Sequence, residues 1–190
     1  MAPYKIGYFI GSLAKNSINR TLSKALIRVA PADLEFIEIP IKDLPLYSPD
    51  YDENYPAVGV ALKDALASVD GVLFVTPEHN RSIPGPLKNA IDWASRPFGT
   101  NSFNHLPVAV IGASPGAIGT ALAQQTLRAV LSFCNARQMT SPEAYIQLKP
   151  GLITDDGTIT DAGTEQFLRD FMREFHEHTI RVLTVLPRGG

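Results

Sequence analysis

The segment Gly11-Ser12-Leu13-Ala14-Lys15-Asn16-Ser17-Ile18-Asn19-Arg20 sets hydroxyls at Ser12 and Ser17, an amide at Asn19 and a cation at Lys15 between an apolar run and a helical run. Backbone N–H groups at a helix start point outward without intrahelical partners, and the helix dipole there favours negative charge. Together these groups suit a dianionic phosphate monoester. Ser and Asn at this place also cap a helix with nothing bound, so the loop alone leaves both readings open. A second polar loop, Thr76-Pro77-Glu78-His79-Asn80-Arg81-Ser82-Ile83-Pro84-Gly85, leaves another apolar run at its carboxyl end. Its prolines restrict the backbone and could hold its amides ready for a planar heterocycle; the plainer reading is a rigid strand-to-helix turn. A third loop, Gly112-Ala113-Ser114-Pro115-Gly116-Ala117-Ile118-Gly119, has glycines at the wrong spacing for a dinucleotide fingerprint, and no acid follows at the required distance.

These loops need a scaffold that brings them to one edge. Ile6–Ile10, Gly71–Val75 and Val108–Gly112 are continuous apolar runs, as strands covered on both faces should be. Leu34–Ile39 reads as a shorter strand, and a fifth is expected within Gln138–Ile146. Helical runs at Thr21–Val29, Val58–Ser68, Leu87–Trp93, Thr120–Asn135 and Ala162–Val185 separate or follow them. Alternation of this kind predicts an α/β, doubly wound, five-stranded parallel sheet in the order 2-1-3-4-5. Its switch point lies between strands 1 and 3, so the first two polar loops should flank one crevice. Lys42–Pro56 reads as a long irregular surface connection, and Asp155-Asp156-Gly157 as a turn. The whole of 1–190 is expected to be one domain.

Composition narrows the function. The chain is 45% hydrophobic and 19% charged with a formal net charge of -2, and no long run of one sign marks a nucleic-acid or membrane-surface partner. No apolar stretch approaches the roughly 20 residues that span a bilayer, and no signal peptide precedes the first strand, so a cytoplasmic location is expected. Cys134 is the single cysteine and reads as a packing thiol. His79, His105, His176 and His178 fall at no metal-ligand spacing, so no metal is expected.

The run Pro77-Glu78-His79-Asn80, Ser82-Ile83-Pro84-Gly85 and Leu87-Lys88-Asn89-Ala90-Ile91-Asp92-Trp93 resembles the signature of the NADPH-dependent FMN reductases. Gly11-Ser12-Leu13, Lys15, Ser17 and Asn19 match that family's phosphate loop in position and type. The resemblance covers nearly the whole chain and looks closest to the bacterial quinone and chromate reductase branch, which is flavodoxin-like. It implies non-covalent FMN, with Ser12, Lys15, Ser17, Ile18 and Asn19 around the phosphate. Pro77, Glu78, His79 and Asn80 would line the isoalloxazine, and Ser114 and Gly116 would border it on the other side. Arg96, and Arg81 at the mouth, are the implied contacts for nucleotide or acceptor. Three residues depart from the family pattern: Ala14 where Arg is frequent, His79 where Tyr is common, and Arg81 where an aromatic is frequent.

The activity implied is two-step hydride transfer from NAD(P)H through the flavin to a small acceptor such as a quinone, a ferric complex, chromate or an azo compound, with no side chain acting as acid or base. Changing Ser17 and Asn19 to Ala is expected to weaken FMN binding with the fold intact. The alternative is a flavodoxin-type electron carrier, which the near-neutral charge and Ser/Asn loop disfavour. The resemblance also implies a homodimer, with Ile91 and Trp93 offered to the partner. A homotetramer is left open, because Leu122 and Gln125 stand where relatives carry more strongly interacting side chains.

Overall fold

The computed structural model describes residues 3–187. Strands β1 (Tyr4–Ile10), β2 (Leu34–Glu38), β3 (Gly71–Val75) and β4 (Pro107–Ser114) form a parallel sheet in the order β2-β1-β3-β4, continued on the far side of β4. Helices α1 (Ile18–Val29), α2 (Ala57–Ala67), α3 (Gly85–Ala94), α4 (Ala121–Phe133) and α5 (Ala162–Val185) make the crossovers and close the fold. Every residue of β3 is buried, as its unbroken apolar run requires, whereas edge strand β2 is largely half-exposed. The order is the flavodoxin-like one expected from the alternation.

The fifth position differs from expectation. It is filled by two short strands that both pair with β4, β5 (Arg137–Gln138) at its start and β6 (Tyr145–Gln147) at its end. The intervening Met139–Ala144 contains Pro142, which has no N–H to give a ladder, so the strand cannot run through.

Two apolar cores lie on the two faces. One packs Phe9 and Phe74 of the sheet against Leu62, Leu87, Trp93 and Leu127, with Phe103 of the α3–β4 connection beside them. The other packs Ile6, Leu73 and Ile111 against Leu22, Leu26, Phe171 and Phe175. The irregular segment after β2 is a lid on the first core rather than a bare surface loop. Tyr47, Tyr51 and Tyr55 surround the fully buried Trp93 ring at centroid distances of 5.4, 5.2 and 5.1 Å. Trp93 Nε1 donates to the Pro45 carbonyl at 2.7 Å, and the Tyr55 hydroxyl donates to the Trp93 carbonyl. Burial pushes the Tyr55 phenol up to about 12.

Candidate active site

Strands β1 and β3 end level with Ile111 of β4, which runs on to Ser114 alongside β6. Ile10 pairs with Val75, and Val75 with Ile111, so the loops after β1, β3 and β4 leave the sheet side by side. The Gly11 N–H donates to the Val75 carbonyl at 2.9 Å, and the Thr76 N–H to the Ile111 carbonyl at 3.0 Å. Gly112 is required here: a Cβ on it would come 2.0 Å from the Thr76 carbonyl oxygen and 2.3 Å from Thr120 Oγ1. The crevice at the switch point is therefore formed by the Ser12–Asn19, Thr76–Ser82 and Ser114–Gly119 segments.

In the first loop Ser17 is the N-cap of α1, its Oγ accepting from the Arg20 N–H at 3.3 Å while its hydroxyl proton stays free to donate. The Ile18 and Asn19 N–H groups take no partner among the described residues, and neither does the exposed Lys15 ammonium. The Ser12 hydroxyl accepts from the Ala14 N–H at 3.3 Å, which tightens the loop. Open donors and a cation at a helix start fit a phosphate. The Asn19 side chain does not join them. It is fully buried, with Nδ2 donating to the Ala113 carbonyl at 3.0 Å and Oδ1 accepting from the Ala113 N–H at 2.9 Å. Its amide ties α1 to β4, so only its backbone N–H faces the loop. The Ser17/Asn19 double change is accordingly no clean test of ligand binding, because it would also leave two buried peptide groups unpaired.

The second loop is a tight hairpin. His79 and Ser82 exchange both backbone hydrogen bonds at 3.0 Å, and the two residues between them, Asn80 and Arg81, have φ of 52° and 64°. Asn tolerates that region; Arg in it is uncommon and is held by its surroundings. His79 and Asn80 are exposed at the tip, while Pro77 is half-buried and its carbonyl accepts from Thr76 Oγ1 at 2.9 Å.

Glu78 has a role that its place in the motif did not suggest. Its side chain is only 9% exposed; Oε2 accepts from the Leu122 and Ala123 N–H groups at 3.0 and 3.1 Å, and Oε1 accepts from Arg81 Nη1 at 3.1 Å. The carboxylate caps α4 from another loop and fixes the hairpin against it. Only half of the signal is readable in the sequence: α4 has no acid in its first turn, but that its N-cap Thr120 makes no side-chain cap is visible only in the structure.

In the third loop Ser114 Oγ accepts from the Gly116 N–H at 3.1 Å, and Gln147 Nε2 of β6 donates to the Pro115 carbonyl at 3.2 Å. Arg81 lies at the hairpin, beside the crevice. Arg96 does not. It follows α3, which descends from the crevice to the opposite edge of the sheet over a rise of roughly 15 Å. There Arg96 lines a cavity of about 390 Å³ between α3 and α4 with Lys88, Phe133 and Cys134. Within one chain it cannot meet a ligand held by the three loops. Cys134, in the same place, is 5% exposed, and burial raises its thiol pKa, as suits a packing residue.

A family profile described as NADPH-dependent FMN reductase matches residues 4–150. The chain is similar to a 2-hydroxy-1,4-benzoquinone reductase of a Burkholderia species, at 46% identity over 90% of this chain and 93% of that protein. It is similar to a quinone reductase of Pseudomonas putida, at 43% identity over 90% and 92%. Among solved structures it superposes on the flavoenzyme NAD(P)H:(acceptor) oxidoreductase FerB of Paracoccus denitrificans with a TM-score of 0.90 and 44% identity, covering 94% of this chain and 98% of that one.

Proposed function

The chain belongs to the NADPH-dependent FMN reductase family, and from that premise we propose that it is an FMN-dependent NAD(P)H:quinone oxidoreductase. The observation that carries the reading is the convergence of three loops on one crevice, with unpartnered Ile18 and Asn19 N–H groups and a free Lys15 cation at its α1 side. Ser12, Lys15, Ser17 and the backbone of Ile18 and Asn19 hold the FMN phosphate. The Pro77–Asn80 hairpin and the Ser114–Gly116 turn border the ring system. When bound, FMN supplies hydride acceptance from NAD(P)H and electron delivery to the acceptor.

The protein's own work is binding, orientation and charge placement. Glu78 keeps the hairpin fixed on α4, so its main chain is preorganised. Arg81, anchored to that same carboxylate, stands at the mouth, where a guanidinium meets an anionic nucleotide or acceptor. Quinones are the acceptor class by similarity to the two quinone reductases.

The working unit is a homodimer. Ile91 and Trp93 do not serve it, since both are buried in the chain's own core at 1% and 0% exposure. The surface that does is the outer stripe of α4: Leu122, Gln125, Ala129 and Phe133 are all exposed and recur at helical spacing, with Phe133 80% exposed. No helix among the described residues is long and apolar enough to cross a membrane; the cytoplasm, as a source of NAD(P)H, is the site of action that suits the proposed reaction.

The test is reconstitution. Apoprotein should bind FMN stoichiometrically, and the complex should then oxidise NADH or NADPH with a benzoquinone as acceptor and no second protein. An FMN complex inert to both nucleotides would reject the reading.

A further inference from the structure

Beside the phosphate loop lies a cavity of about 650 Å³, within the range of small-ligand sites. One wall is α1 from Ser17 to Lys24; the other is the segment from Leu148 to Asp155. Its upper rim is made by Lys15–Ile18 and by Pro115, so it opens into the crevice through two of the three site loops. The hairpin loop contributes nothing to it.

The lining is chemically lopsided. Lys15, Arg20, Lys24 and Lys149 face it against a single carboxylate, Asp155. Arg20 is neutralised by a two-pronged pair with Glu38 at 2.8 Å, and Lys24 donates to the Asp155 carbonyl at 2.6 Å. Lys15 and Lys149 are exposed cations without a partner among the described residues. Between the cations the walls are apolar, through Ile18, Leu148, Pro150 and Ile153. The cavity is built in advance: Gly157, with φ of +88°, lies so close to α1 that a Cβ would come 2.7 Å from Lys24 Cβ and 2.8 Å from the Ala25 nitrogen. That contact and the Lys24–Asp155 bond dock the second wall on the helix.

We propose that this cavity seats the adenosine-phosphate half of the nicotinamide nucleotide, with Lys149 meeting its 2′-phosphate and making the site favour NADPH over NADH. The inference rests on the NAD(P)H oxidoreductase reading. FMN ends at its one phosphate, held at the first turn of α1, whereas the cavity runs a further turn along the helix to Lys24. The part of the cavity beyond the flavin phosphate is left for a second molecule, and the nicotinamide nucleotide is the one the proposed reaction supplies. Apolar walls fit the adenine and ribose, and with Lys15 given to the flavin phosphate the unpaired Lys149 ammonium is the cation that fits a second phosphate.

The test uses the FMN-loaded protein and 2′,5′-ADP, with 5′-AMP as the comparison, by calorimetry, alongside KM for NADPH and NADH. The wild type should bind 2′,5′-ADP more tightly than 5′-AMP. In Lys149→Glu the Kd for 2′,5′-ADP and the KM for NADPH should each rise about tenfold or more, as expected for loss of a charge-assisted contact, while the KM for NADH moves far less and the Kd for FMN stays unchanged. Lys149→Gln should act in the same direction but more weakly. Equal changes for both nucleotides, or no change for either, would overturn the proposal. A fall in FMN affinity would overturn it too, by giving the cavity to the flavin. The calorimetric arm needs no turnover, so failure of the protein to oxidise either nucleotide would count against the oxidoreductase reading alone.

Discussion

At the scale of single residues, Asn19 and Lys15 illustrate how type and orientation separate. Both stand in the loop whose composition suits a phosphate, and only one points there. Asn19→Ala would leave the buried Ala113 N–H and carbonyl unpaired, and should destabilise the fold by roughly 2–5 kcal/mol in urea unfolding of the apoprotein. Ser12→Ala combined with Lys15→Ala should instead weaken FMN about tenfold or more, with the apoprotein's unfolding midpoint unchanged, because both side chains lie off the core. The loop's donor set was legible in the sequence. The direction of Asn19 was not, because it is decided by a strand 94 residues away. Arg96, which the resemblance puts near the flavin mouth, is carried away from the loops of its own chain by the length of α3.

At the scale of elements, the three buried strands and the helices between them follow from continuous apolar runs, and the adjacency of the loops after β1, β3 and β4 follows from the order of the sheet. What the sequence concealed were contacts between separate segments. Three tyrosines in a proline-rich connection read as surface, yet they close over Trp93, because a large buried indole needs both apolar cover and a partner for its N–H. The capping of α4 by Glu78 is another such contact. Glu78→Ala should cost about 1–2 kcal/mol of stability, the range of a lost helix cap, and should loosen FMN by freeing the hairpin. Glu78→Gln keeps an acceptor for the α4 N–H groups and should lie between wild type and Glu78→Ala in a thermal melt of the apoprotein.

At the scale of the whole molecule, α5 closes the fold by packing on β4 and α1, and His178, which ties it to β5, makes the closure sensitive to pH. Its Nε2 is 2.8 Å from the Arg137 carbonyl; burial lowers its pKa below the ordinary 6.5, only partly offset by that bond, with Arg181 also lowering it and Glu174 raising it. The folded chain therefore prefers the neutral ring. This contribution is full above about pH 6.5 and is lost as pH falls through the folded-state value. The melting temperature should drop between pH 7 and 5, and His178→Gln should flatten that part of the profile. Light scattering of the FMN-bound protein should give twice the 20.7 kDa chain mass, and Phe133→Asp should shift it toward one chain. The central claim is that the chain alone, with FMN, carries electrons from a nicotinamide nucleotide to a quinone. The measurement that tests it most directly is an anaerobic two-stage mixing experiment followed at the flavin absorbance. NADPH or NADH should bleach the bound flavin in the first stage, and a benzoquinone should restore it in the second, without any other protein. A flavin that stays oxidised with both nucleotides, yet is bleached when a separate reductase is added, would contradict the account and identify a carrier.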